Sequence, residues 1–157
     1  MKRCILTISG AAALVLFATP RTAISQVSNV QYTLDVYVAY TGAGTVDDKH
    51  KIYVVLWDPA DFVKGLTITP LAIKSTSSNA RTVRFDHLNK TPICISAVYD
   101  SSGSWDTRSD PPGGSSMGLY SKVPGRPALV QLDSDTAARI DLSFGDSVKM
   151  WFKTAAK

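Results

Sequence analysis

The chain has 157 residues and a formal net charge of +4, with 17 Lys and Arg against 13 acids, all of them Asp, and two cysteines. The surplus is concentrated at the N-terminus: without Lys2, Arg3 and Arg21, 14 basic residues face 13 Asp and the formal charge is +1. The remaining cations are scattered singly and form no stripe, which argues against a nucleic-acid partner. The absence of Glu, the usual acid of helix surfaces, beside many Ser, Thr, Gly and Pro argues against a helical architecture.

Residues 1–25 have the block order of a secretory signal peptide. Lys2 and Arg3 precede an apolar run from Ile5 to Phe17, and small residues lead to Ala23, Ile24 and Ser25. The expected cleavage follows Ser25. A membrane anchor needs about 20 apolar residues, and Thr7, Ser9, Gly10, Thr19 and Pro20 leave this run short. Cys4 lies before the apolar block, where no lipid would be attached. The expectation is a periplasmic or extracellular protein without a stable membrane anchor. Residues 26–157 then form one domain, long enough for a core without staples. Cys94 is the one cysteine left, so no intrachain disulfide can form. Between Ile93 and Ile95 it reads as a small buried apolar residue rather than a nucleophile.

Downstream, Val30, Tyr32, Leu34, Val36, Val38 and Tyr40 alternate with polar and small residues, which predicts a strand. Thr41–Gly44 is a turn. Lys51–Trp57 alternates with apolar residues on both faces and is expected to be central. Asp58–Gly65 is a short helical turn or loop, after which Leu66–Ile73 extends the sheet up to a polar turn over Ser75–Asn79. Ala80–Leu88 and Pro92–Tyr99 look like a hairpin. The Gly/Ser/Pro-rich segment from Asp100 to Arg126 interrupts the pattern, before strands at Ala128–Leu132 and Ala138–Phe144 and one more over Val148–Lys153. Seven or eight short strands without a helical period predict an all-β fold: a single antiparallel β-sandwich, transthyretin-like or immunoglobulin-like.

The segment after Tyr99 carries the candidate chemistry. Asp100, Asp106 and Asp110 on a turn-rich loop are either ligands of a hard cation such as calcium or caps of tight turns, with Gly103 supplying a positive φ. The spacing departs from an EF-hand loop, since Ser102 and Ser104 stand at ligand positions and Gly103 is misplaced. The order Phe85-Asp86-His87-Leu88, Ile95-Ser96-Ala97-Val98-Tyr99-Asp100, Gly103-Ser104-Trp105-Asp106, Pro111-Pro112-Gly113 and Met117-Gly118-Leu119-Tyr120 resembles a group of small exported bacterial proteins. These are transthyretin-like or carboxypeptidase-regulatory-like sandwiches, and the resemblance implies a fold and an export route more than a reaction. The Tyr-Arg-Gly-Ser ending of transthyretin-like enzymes that hydrolyse 5-hydroxyisourate is not found in Lys153-Thr154-Ala155-Ala156-Lys157.

No His-Glu-x-x-His pair occurs, and the two imidazoles lie outside any signature. His50 is expected in an exposed charged turn and His87 at a strand end. Among the aromatics, Tyr37 faces away from the apolar side of its strand. Trp105 lies in a polar loop, as an exposed stacking ring or as a lid over the sheet edge, and Tyr120 ends the same segment. The resulting expectation is an exported, non-catalytic binding or accessory domain without a cofactor. It would meet a protein or carbohydrate ligand through residues 100–120, with Trp105, Tyr120 and Tyr37 as contacts. A small hydrolase and a calcium-stabilised structural module are the alternatives.

Overall fold

A computed structural model of the chain describes residues 30–64 and 69–150. Seven strands, β1 (Tyr32–Tyr40), β2 (Ile52–Trp57), β3 (Ala72–Thr76), β4 (Arg81–Leu88), β5 (Cys94–Tyr99), β6 (Ser116–Leu119) and β7 (Ala138–Phe144), accompany one helix, α1 (Pro59–Lys64). They build a three-stranded sheet in the order β4-β1-β7 and a four-stranded sheet in the order β3-β2-β5-β6. The fold is the expected β-sandwich. The signal-peptide segment lies outside the described residues, as does the end of the last expected strand.

Alternation decides which side of each sheet is buried. From β1, Leu34, Val36, Val38 and Tyr40 meet Ile52, Val54 and Leu56 of β2 and Ile95, Ala97 and Tyr99 of β5 in one core, closed by Phe85 and Phe144. Each such side chain contributes roughly 1.5–3 kcal/mol by leaving water. As expected, β2 is central and apolar on both faces, because Val55 belongs to a second cluster on the outer side of its sheet. Helix α1 starts where its sequence dictates: Asp58 Oδ1 accepts from the Ala60 N–H at 3.0 Å, and Pro59 takes the first helical position.

The topology corrects four expectations. First, β4 and β5 are not a hairpin, since they lie in different sheets and the link between them crosses the sandwich. Second, the sheets are not wholly antiparallel: β7 runs parallel to β1, with Val36 opposite Ile140 and Val38 opposite Leu142. Third, β3 begins at Ala72 and runs through Ser75 to Thr76, so the polar residues assigned to a turn pair with Ile52 and Tyr53. Fourth, 128–132 makes only one bridge, with Val130 and Ile93 exchanging bonds of 2.9 and 3.0 Å. In its place β6 arises inside the Gly/Ser/Pro-rich segment. It needs Gly118, where an added Cβ would lie 2.5 Å from Phe144 Cβ. The segment after β7 reaches β6 as far as it is described: Lys149 bridges Ser116, and Met117 N–H donates to Val148 O at 2.8 Å.

Candidate functional site

Where β1, β5 and β6 end together, the 41–50 connection and the residues after β7 enclose an open cleft of about 580 Å³. Its floor is Tyr40 and Tyr99, one from each sheet, stacked with centroids 4.2 Å apart at 19°. Asn79 fixes the end of β1 by standing in for a strand partner. Its Oδ1 accepts from Tyr40 N–H at 2.8 Å, and its Nδ2 donates to Tyr40 O at 2.7 Å. Tyr99 donates its hydroxyl to Thr45 O at 3.0 Å.

Asp146 joins the elements of this corner. Its Oδ1 accepts the Ser116 hydroxyl at 2.5 Å and the Tyr40 hydroxyl at 2.6 Å, its Oδ2 accepts Ala43 N–H at 3.0 Å, and Lys149 Nζ stands 3.4 Å away. These bonds, Ser116's first, hold the Asp146 carboxyl far below the usual carboxylate range. Burial and the bond to Asp146 push the Tyr40 phenol up. On another side of the cleft Asp47 accepts from Lys49 N–H at 2.9 Å and His50 N–H at 2.7 Å, and lies 3.0 Å from His50 Nδ1. A carboxylate can only accept, so Nδ1 carries the proton and Nε2 is left to other partners. The bonds from His50 and Lys49 lower the Asp47 pKa.

The geometry limits the chemistry. Ser116 points its proton at a carboxylate with little affinity for it, so Asp146 is a poor base for that hydroxyl. Cys94 is buried, and burial pushes its thiol up. His87 lies at the exposed end of β4 with φ 58° and its Nδ1 2.5 Å from Gln31 Oε1. Neither lines the cleft.

The sequence-derived candidates fall elsewhere and apart. Asp100 is wholly buried, and its oxygens are occupied by Ser102 N–H at 3.0 Å, Ser102 Oγ at 2.6 Å, Gly103 N–H at 3.1 Å and Trp105 N–H at 2.8 Å. Burial is the largest single influence and raises its pKa. The hydrogen bonds together outweigh it and hold the carboxyl below its usual value. Asp106 is exposed and accepts from Arg108 N–H at 3.0 Å; Asp110 is exposed. The three do not converge, and among the described residues no group of three His, Cys, Asp or Glu is placed to hold a metal ion. Gly103 has φ +65°, the turn geometry its sequence context calls for.

The aromatic candidates do not form one face. Trp105 is 9% exposed: it packs with Val55 and Val98 on the outer side of the four-stranded sheet. Its indole donates to Ser109 O at 2.9 Å, and its ring meets Tyr53 edge-on at 4.7 Å. It is a lid rather than an exposed contact, and it covers the outer face of the two central strands, β2 and β5, rather than the sheet edge, because a ring this large gains more from burial than a loop gains by presenting it. Tyr37 is exposed on the outer side of the three-stranded sheet, and Tyr120 is half-buried against the main core. Of the cleft residues, Tyr40 shows in the sequence as a strand residue and His50 as part of a charged turn, while nothing there marks Asp146 as their neighbour. His50 is half-buried rather than exposed, because it folds back on Asp47. Ser101 and Ser116 fall within the 100–120 segment that was singled out and also line the cleft.

No family model and no curated protein matches the chain. Among solved structures it is similar to an alternative pilotin from the type II secretion system of Vibrio cholerae, with a TM-score of 0.46 and 12% identity, covering 73% of this chain and 96% of that one. A likeness at that level assigns no function. No helix among the described residues is long and apolar enough to cross a membrane.

Proposed function

We propose that the chain is an exported, non-catalytic binding module whose ligand sits in the cleft beside Asp146, next to the 100–120 segment. One observation carries this reading. Asp146 ties Tyr40, at the end of β1, Ala43, just after it, and Ser116, at the start of β6, into one hydrogen-bonded wall. Such a wall costs little to order on binding, which is how a site gains affinity by preorganisation. Ser101, His50 and Lys149 line the same cleft and supply polar groups for a hydrogen-bonding ligand, a carbohydrate or a polar protein segment. Export rests on the block order of residues 1–25, as does the transthyretin-like kinship on the motifs around Asp100.

The test is a two-dimensional NMR titration of the protein with a panel of oligosaccharides and short peptides. The expected perturbations centre on Ser101, Ser116 and Lys149; perturbations confined to other surfaces would contradict the assignment. The pairing of His50 with Asp47 in the same cleft favours a small hydrolase as the second reading. Turnover of a chromogenic ester that is lost in His50→Ala would replace the binding reading with that one. Calcium calorimetry addresses the loop: heat of binding that vanishes in Asp106→Asn would restore a cation there.

A further inference from the structure

A second surface lies away from the cleft, in the excursion the chain makes between Tyr120 and Ala128. We propose that this tip is a peripheral contact with an anionic phospholipid surface. Its base is closed by Ala128 N–H donating to Tyr120 O at 2.9 Å. The Ser121 hydroxyl donates to the carbonyls of Val123 and Arg126, and Arg126 N–H donates to Val123 O at 3.1 Å, so the tip is a built turn. At Gly125, with φ +76°, a Cβ would find no atom within 4 Å, which marks a projection into open space.

The projection carries apolar groups that the fold does not use. Val123 is 58% exposed, and Leu129, just beyond the base, is 54% exposed. Pro124 follows Val123, while Lys122 and Arg126 flank the pair. Between Asp110 and Asp133 the chain contains no acid, and among the described residues neither Lys122 nor Arg126 forms an ion pair. An apolar tip between two cations matches the order of a lipid interface, with aliphatic groups at the acyl boundary and cations at the phosphates. Charge selects this occupant over a second copy, since two such tips facing each other would bring like charges together. With two cations and two aliphatic side chains the contact is weak and reversible.

Co-sedimentation tests it, using the purified protein with vesicles of phosphatidylglycerol and phosphatidylcholine in equal parts and with phosphatidylcholine alone. Binding is expected only to the anionic vesicles and is expected to fall as salt rises. Lys122→Ala and Arg126→Ala should each weaken it about five-fold, the factor that about 1 kcal/mol per cation corresponds to. Val123→Asp should abolish it with the thermal midpoint unchanged. Val123→Trp gives an independent readout, a blue-shifted emission on addition of anionic vesicles alone. Equal binding to both vesicle types, no binding at low salt, or indifference to these substitutions would overturn the proposal. So would a lipid-free dimer that Val123→Asp dissociates, because the tip would then belong to a second copy.

Discussion

Asp100 and Asp146 each organise a corner of the molecule by accepting hydrogen bonds, and they differ in where their partners come from. The partners of Asp100 are Ser102, Gly103 and Trp105, all within five residues, and the carboxylate is wholly buried among them. Those of Asp146 are Tyr40, Ala43 and Ser116, at sequence separations of 106, 103 and 30, around an open cleft. One aspartate shapes a loop and the other joins the two sheets. A turn-former acts through chain proximity and can be seen in a short stretch of sequence. A tie between sheets exists only once the fold has formed, and it is the second kind that builds the candidate site.

Substitution separates the two corners. The largest effect is expected at the loop: Trp105→Ala uncovers Val55 and Val98, and large-to-small changes of a buried aromatic cost about 3–5 kcal/mol. Denaturant unfolding measures it, and the NMR signals of Tyr40 and Ser116 should stay in place at temperatures where the variant is folded. Asp100→Ala leaves the N–H groups of Ser102, Gly103 and Trp105 without their acceptor and should cost about 3 kcal/mol. Loss of stability well under 1 kcal/mol would mean that water replaces the carboxylate.

Acid should weaken both corners. Folding lowers the pKa of Asp100 and of Asp146 from the usual 3.8. The unfolded chain therefore takes up protons first as pH falls. The stabilisation is fully present above about pH 5, begins to be lost near 4, and is gone below the folded values. Thermal melts from pH 7 to pH 2 should be flat in this respect at the upper end and drop at the lower. The drop should be shallower in Asp100→Asn. A midpoint that rises on acidification would reverse the sign and remove the account of both carboxylates. The smallest effect is expected at Tyr37, exposed on the far sheet, where Tyr37→Ser should change stability by about 0.5 kcal/mol or less and leave cleft titrations unaltered.

The same contrast explains what the sequence made visible. Period-2 alternation marks β1, β2 and β7 because one face of each is core, and Gly103 marks its turn because few other residues adopt φ +65° without strain. Strand β6 was hidden, since Ser116-Met117-Gly118-Leu119 has no β-branched residue and its glycine answers to Phe144, a distant neighbour. The parallel pairing of β7 with β1 and the separation of β4 from β5 are choices of partner, which alternation does not encode. Trp105 could be read either way from a polar loop; the apolar outer face of the four-stranded sheet decides it. Asp146 follows Gly145 in an unremarkable turn, and nothing within ten residues announces its bonds to Tyr40 and Ala43.

The coupling across the two sheets is open to direct measurement by a double-mutant cycle with Tyr40→Phe, Asp146→Asn and the two combined, followed by denaturant unfolding. If the Tyr40 hydroxyl and the Asp146 carboxylate act through one another, the double variant should lose clearly less stability than the sum of the single losses. Strictly additive losses would contradict the account, because the wall of the cleft would then not be held together by that bond.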